Sequence, residues 1–161
     1  MIVVSDTSPL NYLVLVGAID VLPKLFREVY VPPAVIDELR HPRTPEPVAR
    51  WLQSPPAWLR ISAPSAESPL VAGLDPGEAQ AISLAIELRA AAVLIDEQAG
   101  RRIAKAQGLT TLGTITVLEL AAEQELLDLN VAFESLQRTT FHVTQELLEA
   151  ALARHAARKG G

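Results

Sequence analysis

Two apolar runs in this chain each deliver an aspartate. "VVSD" ends in Asp6, and "AAAVLID" ends in Asp96. Both runs read as short buried strands, so both carboxylates stand where a strand gives way to a polar turn. Two further acids are placed to join them. Glu38 lies in "VIDELRH", on a short helix after the second strand, and Glu78 lies in "DPGEAQA", at the start of the strongest helix. Four carboxylates brought together repel one another and are costly to desolvate. A divalent cation relieves both costs. All-oxygen ligands favour magnesium or manganese over softer metals. Metal ions in such a pocket activate a water and stabilise the leaving oxygen of a phosphoryl displacement.

Each of these residues has a plainer reading. "DTSP" is good turn chemistry, so Asp6 can serve a turn alone. Glu78 falls three residues after Asp75, the spacing of a helix capping box. Glu38 has Asp37 beside it as a competitor. Glu97 follows Asp96 and is either a further ligand or a first-turn acid favoured by the helix dipole, with the dipole role preferred. Basic residues follow two of the acidic motifs: Arg40, His41, Arg43 and Arg50 after the second, and Arg101, Arg102 and Lys105 after the fourth. They form either a solvated face or a track for phosphates. The histidines at 41, 142 and 155 lack metal-ligand spacing, and Trp51 and Trp58 read as packing residues.

The elements that must position these acids alternate. Strands are expected at Ile2 to Ser5, in "REVYVPP", at Leu59 to Ser62, in "AVLID" and in "LTTLG". Helices are expected over "LNYLVLVGAIDVLPKLF", broken near Gly17 and Pro23, and over "PAVIDELRH", around Trp51, "LDPGEAQAISLAIELRA", "EQAGRRIAKAQG", "TITVLELAAEQELL", "NVAFESLQR" and "TQELLEAALARHAARK". In the strongest helix Asp75 caps, Pro76 takes the first position, and Ala79, Ile82, Ala85 and Ile86 form the buried stripe. Asn130 and Thr144 are the expected caps of the last two helices. Alternating strands and helices predict an α/β fold, a three-layer α/β/α sandwich on a mostly parallel sheet. In such sheets ligands gather outside the carboxyl ends of the strands, where Asp6 and Asp96 lie.

Bulk properties set the frame. The 161 residues suit one domain over 1–161, with residues 155–161 expected to be a frayed basic tail. Cysteine is absent, which removes disulfides and thiolate zinc sites and fits a reducing compartment. No apolar run reaches the ~18 residues of a membrane span, and the start lacks the pattern of a signal peptide. A cytoplasmic location is therefore expected. The net charge of −5 argues against a nucleic-acid partner, yet setting aside four carboxylates as metal ligands leaves −1.

"VSDTSPL", "VPPAVIDELR", "LDPGEAQAISLA", "VLIDEQAGRRIAKAQGL" and "LGTITVLELA" carry a resemblance over nearly the whole chain. In this order and spacing the chain resembles a PIN domain, the small nuclease fold of the VapC-type toxins. It is most similar to a bacterial and archaeal PIN-like branch grouped as a domain of unknown function. The resemblance implies an acidic quartet at Asp6, Glu38, Glu78 and Asp96 that binds Mg²⁺ or Mn²⁺ and cleaves RNA. Thr7 matches a hydroxyl residue beside the first acid, and Arg40, Arg101 and Arg102 are expected to contact substrate. It also implies the toxin half of a type II toxin–antitoxin pair, a small antitoxin partner and a homodimer. One departure stands out: glutamate occupies position 78, where aspartate is usual. That departure supports the alternative of a non-catalytic module that binds RNA or protein. Aspartyl phosphotransfer is a third class, but Ser8 stands where a second acid would be needed. No lysine among Lys24, Lys105 and Lys159 ends a late strand.

Overall fold

The structure, a computed structural model, describes residues 1–160. Five strands form one sheet: β1 (Ile2–Ser5), β2 (Glu28–Val31), β3 (Leu59–Ile61), β4 (Ala92–Leu94) and β5 (Thr111–Leu112). All pairings are parallel and the spatial order is β3-β2-β1-β4-β5. Val3 stands beside Val29 on one side and Ala92 on the other. Parallel neighbours need crossovers, and helices supply them.

Nine α-helices surround the sheet among the described residues: α1 (Thr7–Leu15), α2 (Leu22–Leu25), α3 (Pro33–Leu39), α4 (Glu46–Gln53), α5 (Pro76–Leu88), α6 (Gln98–Ala106), α7 (Thr114–Glu123), α8 (Leu129–Gln137) and α9 (Gln145–Gly160). Alternation along the strands divides the core in two. Val3, Val29, Val31, Ala92 and Leu94 pack with residues of α1, α3, α7 and α8. Val4, Val93 and Ile95 pack on the other face with α5 and with Ala104 of α6. Strands buried on both faces explain the continuous apolar runs. The result is the expected three-layer α/β/α arrangement, with a sheet that is parallel throughout.

The long apolar segment after Asp6 breaks where expected, into α1, a 3-10 turn (Ile19–Val21) and α2; Gly17 adopts φ +74° at the first break, and Pro23 stands in the first turn of α2. Other local expectations change. Asp75 caps α5 as expected, accepting from the Glu78 amide at 2.8 Å. Ile86, however, is 37 % exposed. It falls in the last turn, while Ala81 and Leu84 complete the buried face. Helix α8 is capped by Asp128, which accepts from the Val131 amide at 3.1 Å, and not by Asn130. Starting there brings Leu129 into the core.

Residues 155–160 continue α9 rather than fraying; residue 161 lies outside the described residues. Leu148 and Ala151 bury one face of α9. Two ion pairs to α7 hold it further out, Arg154 to Glu119 at 2.5 Å and Arg158 to Glu123 at 3.8 Å. Both pairs repeat at i, i+4 on each helix, so one register satisfies both. No helix of the described residues is long and apolar enough to cross a membrane.

Candidate functional site

Strand order fixes where the site lies. From β1 the chain moves outward to β2 and β3, then crosses back to β4 and β5 on the other side. The connections leaving β1 and β4 therefore diverge, and a crevice opens between the two carboxyl ends. Asp6 and Asp96 flank that crevice. The Asp6 amide donates to the Leu94 carbonyl at 2.9 Å, which ties the two strand ends together.

Asp6 is the N-cap residue of α1, yet its side chain makes no capping bond. It is 4 % exposed, and its Oδ1 is buried without a hydrogen-bond partner. Burial, followed by the Asp75, Glu38 and Asp96 carboxylates, outweighs a hydrogen bond from the Thr7 backbone and raises its pKa from 3.8 to about 7.

Glu78 sits in the first turn of α5 and is 7 % exposed. Burial first, then the neighbouring Asp75 side chain and the charges of Asp6 and Glu97, push its pKa up to about 8. Helix α6 approaches it through Gly100. A Cβ there would stand 2.6 Å from Glu78 Oε2 and 2.6 Å from Ile95 Cδ1.

The other two acids are held by protein donors. Glu38, on the last turn of α3, accepts from the Thr7 hydroxyl through Oε2 and from the Gly77 amide at 3.0 Å through Oε1. Gly77 is the second residue of α5, and a Cβ there would meet the Glu38 Cδ at 2.8 Å. Asp96 accepts from the Ser8 hydroxyl at 2.8 Å, and from the Thr114 amide and hydroxyl, each at 2.7 Å. The site thus has two pinned carboxylates, Glu38 and Asp96, and two with raised pKa, Asp6 and Glu78.

The donor set suits a hard divalent cation. The orphaned Asp6 Oδ1 offers a buried oxygen with nothing to bind, and the surrounding ligands are all carboxylates. Among the described residues no three acidic side chains stand together as a ready ligand cluster. Magnesium does not require one, since one or two carboxylates plus waters usually hold it. Asp6 and Glu78 are the residues that would hold it here.

The remaining candidates separate. Thr7 is in the site through Glu38. Glu97 is the N-cap of α6, exposed, and charged toward Glu78. Arg101 points to the crevice: its Nη1 and Asp96 Oδ1 lie 3.9 and 3.1 Å from where a Gly113 Cβ would stand. Arg102 is exposed on α6, outside the cleft that Arg101 lines, and Arg40 lines a different hollow with Ala49, Leu52 and Gln53. Trp51 and Trp58 pack on each other with ring centroids 6.4 Å apart.

Asp75, read from sequence only as a cap, acts on both Asp6 and Glu78. Ser8 and Thr114 orient Asp96, a role read from the sequence for neither. Its one signal is the hydroxyl in "DTS", for Ser8. Thr114 arrives from a helix start 18 residues beyond Asp96, and nothing local marks it.

A family model described as a PIN domain matches residues 2–157. No curated protein and no solved structure matches the chain.

Proposed function

The chain belongs to the PIN-domain family, a nuclease-type fold, and from that premise we propose that it is a divalent-metal-dependent endoribonuclease. The observation that carries the proposal is Asp6: a buried carboxylate with an unpartnered oxygen, in the field of the Asp75, Glu38 and Asp96 charges, at the crevice of a parallel sheet. A structure that gains nothing from this charge by itself keeps it for a ligand. Bound magnesium or manganese would polarise a phosphate oxygen and lower the pKa of an attacking water.

The chain's own groups have distinct tasks in this reading. Asp6 and Glu78 would hold the cation. Thr7 and the Gly77 amide keep Glu38 directed at the crevice. Ser8 and Thr114 fix Asp96, whose position decides where a phosphate can approach. Arg101, beside Asp96, supplies positive charge to an RNA strand that the acidic cluster would otherwise repel.

The test is cleavage of a mixed-sequence RNA by the parent, Asp6→Asn and Asp96→Asn, each with EDTA, Mg²⁺ or Mn²⁺. Metal-dependent cleavage by the parent, lost in both variants with the fold retained, is expected. A variant that cleaves like the parent refutes the assignment.

The toxin role in a type II toxin–antitoxin pair, a small antitoxin partner and a homodimer belong to the same proposal and rest on the resemblance to VapC-type chains. Growth arrest on expression, relieved by Asp96→Asn, tests the toxin role. A second reading, a non-catalytic module binding RNA or protein, is favoured by Glu38 and Asp96 being satisfied by protein donors. It predicts that parent and variants behave alike.

A further inference from the structure

Beyond Asp96, away from Asp6 and Glu78, a cleft of about 610 Å³ opens between α1, α6, α7 and the segment leading into α9. Its walls include Ser8, Tyr12, Asp96, Arg101, Phe141 and His142. Neither Asp6 nor Glu78 lines it, but Asp96, which flanks the crevice, does, so the cleft lies beside the crevice.

Two features give this cleft a chemical character. The first is aromatic and preorganised. Tyr12 and Phe141 meet edge to face with centroids 4.9 Å apart. The Tyr12 hydroxyl is tied to the Thr140 hydroxyl at 2.9 Å, so a contact at each end sets the ring. Both rings are only half-buried. The second is cationic. Arg101 makes no ion pair among the described residues, although Asp96 is close by across Gly113. A guanidinium left open beside a carboxylate that is already fully hydrogen-bonded is placed for an external anion. A flat ring to stack on and a cation for one phosphate are the recognition chemistry of a nucleotide.

We propose that this cleft is a nucleotide subsite. It takes the base and phosphate of single-stranded RNA next to the bond that is cut, with Arg101 on the phosphate and the Tyr12–Phe141 pair on the base. The proposal rests on the ribonuclease reading for its place along the strand, while the binding chemistry stands on the cleft itself. The volume lies within the range of about 300–1,000 Å³ typical of small-molecule sites. A stacking platform tolerates any base but favours the larger ones, so the subsite would give the enzyme a preference at one position relative to the cut.

The experiment uses the full chain without metal and titrates adenosine and uridine 5′-monophosphate, following amide and side-chain NMR shifts. Arg101→Gln and Phe141→Leu are compared with the parent. Arg101 lies on a helix surface, so its variant keeps the fold even if Phe141→Leu loosens the α9 approach. The expected result is saturable shifts at Tyr12, Arg101, Phe141 and His142, stronger for the purine nucleotide. Affinity should fall by about tenfold in each variant, the size of one stacking or charge-assisted contact. Absence of shifts at millimolar nucleotide, or shifts equal in parent and variants, overturns the proposal and assigns the cleft to a protein segment instead. RNA cleavage by the parent alongside such a result leaves the nuclease reading standing. Nucleotide binding lost in the variants, with no cleavage under any metal, removes the nuclease reading and keeps the subsite.

Discussion

Replacing Asp6 by Asn should stabilise the metal-free protein, increasingly so as pH rises from 3.8 toward 7. In the folded chain the carboxyl titrates at about 7, against 3.8 ordinarily, because burial and three neighbouring carboxylates disfavour its charge. A raised carboxyl pKa means that the folded state holds its proton where the unfolded state has released it. Stability therefore falls as pH rises from 3.8 toward 7 and is level beyond. At ~1.4 kcal/mol per pKa unit the full penalty is roughly 4 kcal/mol, of which roughly 2.5 falls between pH 5 and pH 8. Relaxation of the site and water entry reduce this, so a difference of about 1–3 kcal/mol is expected. Asparagine keeps the shape, cannot ionise, and offers an amide donor among carboxylate acceptors. Glu78 moves the result in the same direction, since Asp6 contributes to its raised pKa. The assay is urea unfolding of parent and variant in EDTA at pH 5 and pH 8. Groups that do not interact with Asp6 cancel in the comparison. The variant should gain about 1–3 kcal/mol on the parent between the two pH values, or about 3–10 °C in Tm. Equal pH slopes for the two proteins would refute the claim that Asp6 is a buried, uncompensated charge.

Three other perturbations probe the remaining supports. Millimolar Mn²⁺ should raise the Tm of the parent at pH 8 but hardly at pH 5, where Asp6 and Glu78 hold protons that compete with the cation; binding at 100 times Kd is worth about 2.7 kcal/mol, and calorimetric melts of parent and Asp6→Asn read it directly. Gly77→Ala adds a methyl where the Glu38 carboxylate now rests. The helix itself gains up to ~1 kcal/mol from the change, so urea midpoints should shift little while Mn²⁺ affinity and RNA cleavage fall at least tenfold. Thr114→Val removes one of the three donors on Asp96. It should cost about 1–3 kcal/mol in stability and lower kcat more than KM, measured on a short RNA; an unchanged kcat would show that Asp96 needs no such orientation.

Much of this protein was written in local pattern. Continuous β-branched runs predicted strands covered on both faces, and these are the strands whose residues now divide between two cores. The spacing of Asp75, Pro76 and Glu78 predicted the start of α5, because capping acts within one turn of helix. The strand-end positions of Asp6 and Asp96 follow from the apolar runs before them, and the parallel pairing of β1 and β4 puts both at one crevice. Local pattern also has limits in this chain. Asp128 and Asn130 are equally good caps by type, and the choice fell to whichever start buried Leu129. The basic C-terminal residues read as a tail because their partners, Glu119 and Glu123, lie on another helix.

What the sequence by itself determined is therefore the alternation of strands and helices and the acids placed at their ends. Only the tertiary structure decided which acids are free. Strand order β3-β2-β1-β4-β5 puts β1 beside β4 and so brings residues 90 apart in the chain to one crevice. Close approach through Gly77 and Gly100 presses α5 against Glu38 and brings α6 against Glu78. Hydroxyls and amides from Thr7, Ser8, Gly77 and Thr114 then satisfy two carboxylates and leave Asp6 Oδ1 without a partner. Spacing along a chain encodes the chemistry a residue can do. Burial and hydrogen-bond satisfaction decide which residue is left to do it, and those depend on neighbours that only folding supplies.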